Sequence, residues 1–274
     1  MNESPADSNA AGTTAVRAMP FAARELPAAH HALTLEVCGL LDDLACDDDT
    51  RAAAWWRALE EARPERFAEL SARLSPEVRR LVAGQREAER VRALHARHPG
   101  ARSAEGLRRL LLAIIRDLRV VYLLLARQLA TMRAAAQWPE PQRRELAALT
   151  ADIHAPLANR LGIWQLKWEL EDLAFRYLQP DTYRRIARLL DERRGDREAY
   201  IARCVAALDE ALRREGIEAE VAGRPKHIHS IWKKMQRKDV PFGELYDIRA
   251  LRVLTGSVGD CYAALGVTHA LWPN

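Results

Sequence analysis

The 274-residue sequence predicts two fold classes in series: an all-helical domain over residues 25–180 and the beginning of an α/β domain over residues 216–274. Three observations carry this. From about Ala28 to Leu178, apolar residues recur at three- and four-residue spacing, the period of a helix face. After Gly216, Ile217, Ala219 and Val221 alternate with Glu218 and Glu220, the period of a strand. The remaining segment reads helix, strand, helix, the order of an α/β domain. Hydrophobic residues make up 49% and charged residues 29%, which excludes a wholly disordered chain.

Residues 1–24 are rich in Ser, Thr, Asn, Ala and Asp without apolar periodicity and read as a disordered tail; they lack the apolar core of a secretory signal. Leu33, Leu35, Val37, Leu40 and Leu41 outline the first helix. The acidic stretch DDLACDDDT comes next, where Asp49 or Thr50 can cap a helix beginning at Arg51. It lacks the Gly and terminal Glu of a calcium loop. Gly106 to Ala136 reads as one central helix, apolar on most sides. Its apolar runs are far shorter than the roughly 20 residues that span a bilayer. His154 is expected as a structural histidine at a helix bend before Pro156. Leu157, Leu161, Trp164, Trp168, Leu170 and Leu173 give a broad core-facing surface that Pro180 closes. Residues 181–215 read as a linker of two helices broken near Gly195, with Ile201, Val205, Leu208 and Leu212 as one stripe.

In the C-terminal segment, Ile217–Val221 and Ile248–Leu254 are the expected strands, and Gly223–Arg237 and Gly259–Trp272 the expected helices. Two strands are too few for an independently stable sheet. Gly216 suits the left-handed residue past a helix end. The four cysteines lack Cys-x-x-Cys spacing and read as free thiols of a reducing cytosol. The net charge of +4 and pI near 9.0 allow a phosphate-bearing ligand without requiring a nucleic acid. Basic residues are interleaved with acids, so specific DNA binding is not expected.

The stretch GRPKHIHSIWKKMQRK is the most informative. Pro225 stands where a helix's first residue belongs. Ile228, Ile231, Trp232 and Met235 share one face, expected to bury against a sheet. Lys226, Ser230, Lys233 and Arg237 share the opposite face, with Lys234 on its flank. A cationic stripe starting at a helix N-terminus suits a phosphate, and equally a solvated surface. Asp247 stands at the start of the second strand in ELYDIRALRVL. Its carboxylate could hold Mg²⁺ or pair with Arg249.

GRPKHIHSIWKKM, ELYDIRALRVL and CYAALGVTHALW together resemble the synthetase domain of the RelA/SpoT family of long alarmone synthetase/hydrolases, and APLANRLGIWQLKWELEDLAFRYLQP resembles the end of that family's helical HD-like domain. The likeness covers most of the chain after about residue 105. It implies a nucleotidyltransferase-like domain that transfers pyrophosphate from ATP to the 3′-hydroxyl of GTP or GDP, the GTP diphosphokinase reaction. By the motif match, Arg224 would stack on adenine, Lys226, Ser230 and Lys234 would contact the ATP phosphates, and Asp247 would be the catalytic Mg²⁺ ligand. His227 reads as structural, and His229 as a substitution for a common Tyr.

Active hydrolases of the family hold a metal with a His, a His-Asp pair and a distant Asp. Here the pair falls near Arg57 and Ala58, and Arg127 replaces the distant Asp in LARQLATMR. Arginine cannot ligate a metal, so an inactive hydrolase domain of the synthetase-only branch is expected. His95 and His98 do not restore a ligand set. Relatives continue past LWPN with a second acidic residue and a guanine-stacking Tyr, and contact the ribosome through C-terminal regions absent here. The resemblance therefore implies a cytoplasmic N-terminal fragment with an ATP-side half-site that makes little or no alarmone alone. A non-catalytic helical regulatory or interaction module is the alternative; a nucleic-acid-binding protein and an HD-type metal phosphohydrolase rank below it.

Overall fold

The computed structural model describes residues 21–96, 117–192, 194–224, 227–245 and 250–272. The chain divides into two compact units, Met1–Leu178 and Gln179–Asn274.

The first unit is helical, with α1 (Ala28–Asp43), α2 (Asp48–Ala62), α3 (Pro64–Leu70), α4 (Pro76–Ala96), α5 (Leu118–Ala134), α6 (Glu140–Leu149), α7 (Ala155–Arg160) and α8 (Trp164–Leu178). Its core runs continuously through Leu41, Trp56, Leu59, Leu81, Leu123, Leu129 and Leu170, all at or near zero exposure. Ala22 is fully buried in it, and the Arg73 guanidinium lies 5.1 Å over the Phe21 ring, so ordered chain begins before residue 25. The expected disorder of residues 1–20 lies outside the described residues.

Local chemistry moved several boundaries. The cap of α2 is Asp47, not Asp49 or Thr50; its carboxylate accepts from the Thr50 N–H at 2.8 Å. Helix therefore begins at Asp48, where Asp48 and Asp49 suit the positive end of the helix dipole. The central helix does not run through from Gly106. Asp117 is extended and caps a fresh start at Leu118 by accepting from the Arg119 N–H at 2.9 Å; residues 106–116 lie outside the described residues. Between α6 and α7, Thr150–His154 form a single π-helical turn that buries His154 at the bend the sequence predicted. Gly162, at φ 72°, separates α7 from α8, because a side chain would be strained in that left-handed backbone. Trp164 is a surface residue, 48% exposed, and not core. It pairs with Trp168 at 6.1 Å and lies under the Lys167 ammonium, where half its ring stays wet.

The second unit contains α9 (Pro180–Glu192), α10 (Arg194–Arg214), β1 (Ala219–Arg224), α11 (Ile228–Lys238), β2 (Ala250–Thr255) and α12 (Val258–Leu271). The two helices expected as a linker, α9 and α10, thus belong to the same unit as the sheet. α10 begins one residue before Gly195. Leu208 and Leu212 bury its predicted stripe with Ala264 of α12, against Val221, Leu251 and Val253 of the sheet. Gly216 takes the expected left-handed conformation, φ 70°. β1 and β2 are antiparallel, from Ala219 opposite Thr255 to Arg224 opposite Ala250. Gly223 and Arg224, expected in a helix, are in this ladder. A residue before proline disfavours the helical region, so Pro225 holds Arg224 extended. Helix begins at Ile228 after an extended His227; Pro225 and Lys226 lie outside the described residues. All four cysteines are free thiols. Among the described residues no helix is long and apolar enough to cross a membrane.

Candidate functional site

Of the five residues that the sequence singles out, the structure describes two side chains fully, Ser230 and Lys234. They stand four residues apart on α11, neighbours on its surface, and both are half-buried. Arg224 ends β1, with its side chain outside the described residues; Lys226 and Asp247 lie outside them entirely. Ile231 of α11 is fully buried, and Ile228, Trp232 and Met235 are half-buried around it. This face packs against α9, where the sequence predicted a sheet; α10 and α12 cover the sheet instead. His229 stacks near Trp232, 5.6 Å between ring centroids. Lys233, Arg237 and Lys238 are exposed. The first N–H groups of α11 have no acceptor within the helix, so its start is favourable to an anion. The cationic arrangement can hold phosphate oxygens and screen their charge.

In the helical unit, Arg57 of α2 is almost fully buried. Its guanidinium meets Glu60 at 3.3 Å and Glu61 at 2.9 Å on its own helix, and Glu89 on α4. Arg127 of α5 binds the other Glu61 oxygen, and Arg86 binds Glu60 at 3.0 Å. Three guanidinium groups and three carboxylates thus join α2, α4 and α5 in one charge-neutral network. Beside it, Ala58 and Arg127 line a cavity of about 20 Å³ with His30, Thr34 and Gln85. That holds one water at most and has no carboxylate in its wall. A guanidinium stays protonated and cannot donate a lone pair, so these residues do not fit a divalent metal.

The HD domain family matches residues 22–164, more than half of the chain. The chain belongs to this family. Behind the HD domain, residues 223–274 match the region found in RelA/SpoT proteins. The GTP pyrophosphokinase of Escherichia coli (strain K12) is 46% identical over 238 residues, which cover 86% of this chain and 32% of that protein. The GTP pyrophosphokinase of Photobacterium angustum is 44% identical over 237 residues, 85% of this chain and 32% of the relative. A Synechocystis protein named probable guanosine-3′,5′-bis(diphosphate) 3′-pyrophosphohydrolase is 44% identical over 235 residues, 85% and 30% respectively. This HD-domain chain thus spans about a third of the length of the curated relatives it matches.

Sequence reasoning located Arg57 and Arg127 in the HD domain but missed the carboxylates that bind them. Arg57 and Glu61 stand four residues apart in RALEE, a spacing that announces an ion pair on one helix face. Glu89 carried no such signal, because it reaches Arg57 from another helix.

Proposed function

We propose that this chain serves a (p)ppGpp synthetase, transferring pyrophosphate from ATP to the 3′-hydroxyl of GTP or GDP, and belongs to the synthetase-only branch. The observation that carries this reading is the match of residues 223–274 to the RelA/SpoT region, on the segment where the cationic face of α11 lies. The names of the E. coli and Photobacterium relatives support it. Phosphoryl transfer depends mainly on positioned positive charge around developing negative charge. Ser230 and Lys234 are assigned to ATP phosphates with Lys226, Arg224 to the adenine face, and Asp247 to Mg²⁺. A bound Mg²⁺ would neutralise phosphate charge, and an aspartate carboxylate is the hard oxygen donor it prefers. Magnesium-dependent ATP binding by the purified chain tests the assignment. Lys234→Ala and Asp247→Asn should each weaken it about tenfold, as loss of a charged contact does. Equal binding by all three proteins refutes it.

The HD domain is read as a hydrolase relic. Arginines at positions 57 and 127 favour this over the activity in the Synechocystis relative's name. Incubation with ppGpp and divalent cations should release no pyrophosphate; release at enzymatic rates would sink this half of the reading.

A further inference from the structure

A second cavity, of about 200 Å³, opens on the other side of Arg127, bounded by α4, α5, α6, α7 and the π-helical turn. It has room for about six waters, far more than the packing voids of a native core. Its wall has two poles. Leu146, Ile153 and Leu157 make one side apolar. Glu89, Arg127, Gln128 and Thr131 make the other polar, the last three from one face of α5, and His154 of the π-helical turn also lines the cavity.

Both charged groups are half-committed. Glu89 accepts from Arg57 with Oε2, and its Oε1 has no partner in the protein among the described residues. Arg127 gives one terminal nitrogen to Glu61, leaving Nη1 and Nε without acceptors among the described residues. The Gln128 amide N–H₂ donates to the Thr150 hydroxyl at 2.8 Å, and its carbonyl oxygen has no donor among the described residues. The Thr131 hydroxyl donates to the Arg127 carbonyl and keeps its lone pairs. The cavity therefore offers a guanidinium edge for a carboxylate and three oxygen acceptors for an ammonium, beside an aliphatic wall. A phosphate would meet the Glu89 charge, and a metal ion would meet Arg127. A ligand carrying both charges and an apolar tail meets Glu89, Arg127, Gln128 and Thr131 together.

We propose that this cavity binds a free aliphatic α-amino acid of leucine size, its carboxylate on Arg127 and its ammonium on Glu89. The inference does not depend on the synthetase reading, and its test uses no nucleotide. Calorimetric titration of the whole 274-residue chain with L-leucine should show saturable binding. Leucinamide lacks the carboxylate and 4-methylpentanoate lacks the ammonium; each should bind at least about tenfold more weakly, the loss expected for a charge-assisted hydrogen bond. Thr131→Leu, at a half-buried position, should fill the polar pole and abolish binding with helicity unchanged. Should that variant misfold, the ligand series on the unaltered protein still decides. No leucine binding up to about 10 mM, or equal binding of the two analogues and leucine, overturns the proposal.

Discussion

Arg57→Met removes one buried cation while conserving most of its volume. Arg57 contacts three carboxylates, but they are not equally dependent on it. Glu60 keeps Arg86 and Glu61 keeps Arg127, whereas Glu89 loses its one ion-pair partner among the described residues. Breaking a buried pair costs about 3–5 kcal/mol when the stranded charge is dry. The Glu89 side chain is 20% exposed and can recover some hydration. The Nε of Arg57 is also buried without a hydrogen-bond partner, a desolvation cost that methionine removes. Both corrections act in one direction, so the expected loss is about 2 kcal/mol. Urea unfolding at pH 7, followed by tryptophan fluorescence, measures it; Trp55, Trp56, Trp138, Trp164 and Trp168 all report on the helical unit. In the Arg57→Met background, Glu89→Gln should restore about 1 kcal/mol, because it neutralises the stranded charge. A single variant within about 0.5 kcal/mol of the parent, or a double variant no better than the single, would refute the reasoning.

Local geometry sets two further outcomes. A Cβ on Gly84 would lie 2.8 Å from a methyl of Val120, whose branched side chain has little rotamer freedom. Gly84→Ala should therefore cost about 1–2 kcal/mol, overpacking outweighing the roughly 1 kcal/mol helix preference for alanine; a raised melting temperature would show the opposite balance. Asp47→Ala should cost about 1 kcal/mol at neutral pH through loss of the α2 cap. Burial pushes the Asp47 carboxyl up, but hydrogen bonds from Thr50 and Arg119 outweigh it and hold the group below the usual carboxylate range. A depressed folded value means the stabilisation is complete above the unfolded value, near 4, and is lost as pH falls below it. The difference between parent and variant in thermal unfolding should thus shrink on acidification; a constant difference down to about pH 2 would contradict this.

What the sequence revealed and what it hid separate along physical lines. Residues whose role is set by their own backbone were readable: Gly216 left-handed past α10, His154 buried at the bend before Pro156. So was the stripe of α10, because Leu208 and Leu212 repeat the helical period. Boundaries failed where a near neighbour decided them, as Thr50 did for Asp47 and Pro225 for Arg224. Partners failed where the contact was tertiary. The apolar face of α11 was clear from spacing, but that α9 rather than a sheet receives it was not. Trp164 and Trp168 share a helix face, yet their spacing could not tell that Trp164 stands at its wet edge. At the candidate site, α11 explains why Ser230 and Lys234 are neighbours, and the motif alone speaks for Asp247.

The wide turn at Thr150–His154 has a bearing on how this protein can change its length. A π turn lodges one residue more than α winding needs. Deleting one residue there would let the segment rewind as ordinary helix with α6 and α7 still in phase. The same deletion within α5 would rotate everything after it by roughly 100° and turn its core face to solvent. The fold thus has a place where a one-residue gap can heal, and the cost of healing would fall on the cavity that Ile153 and His154 help enclose.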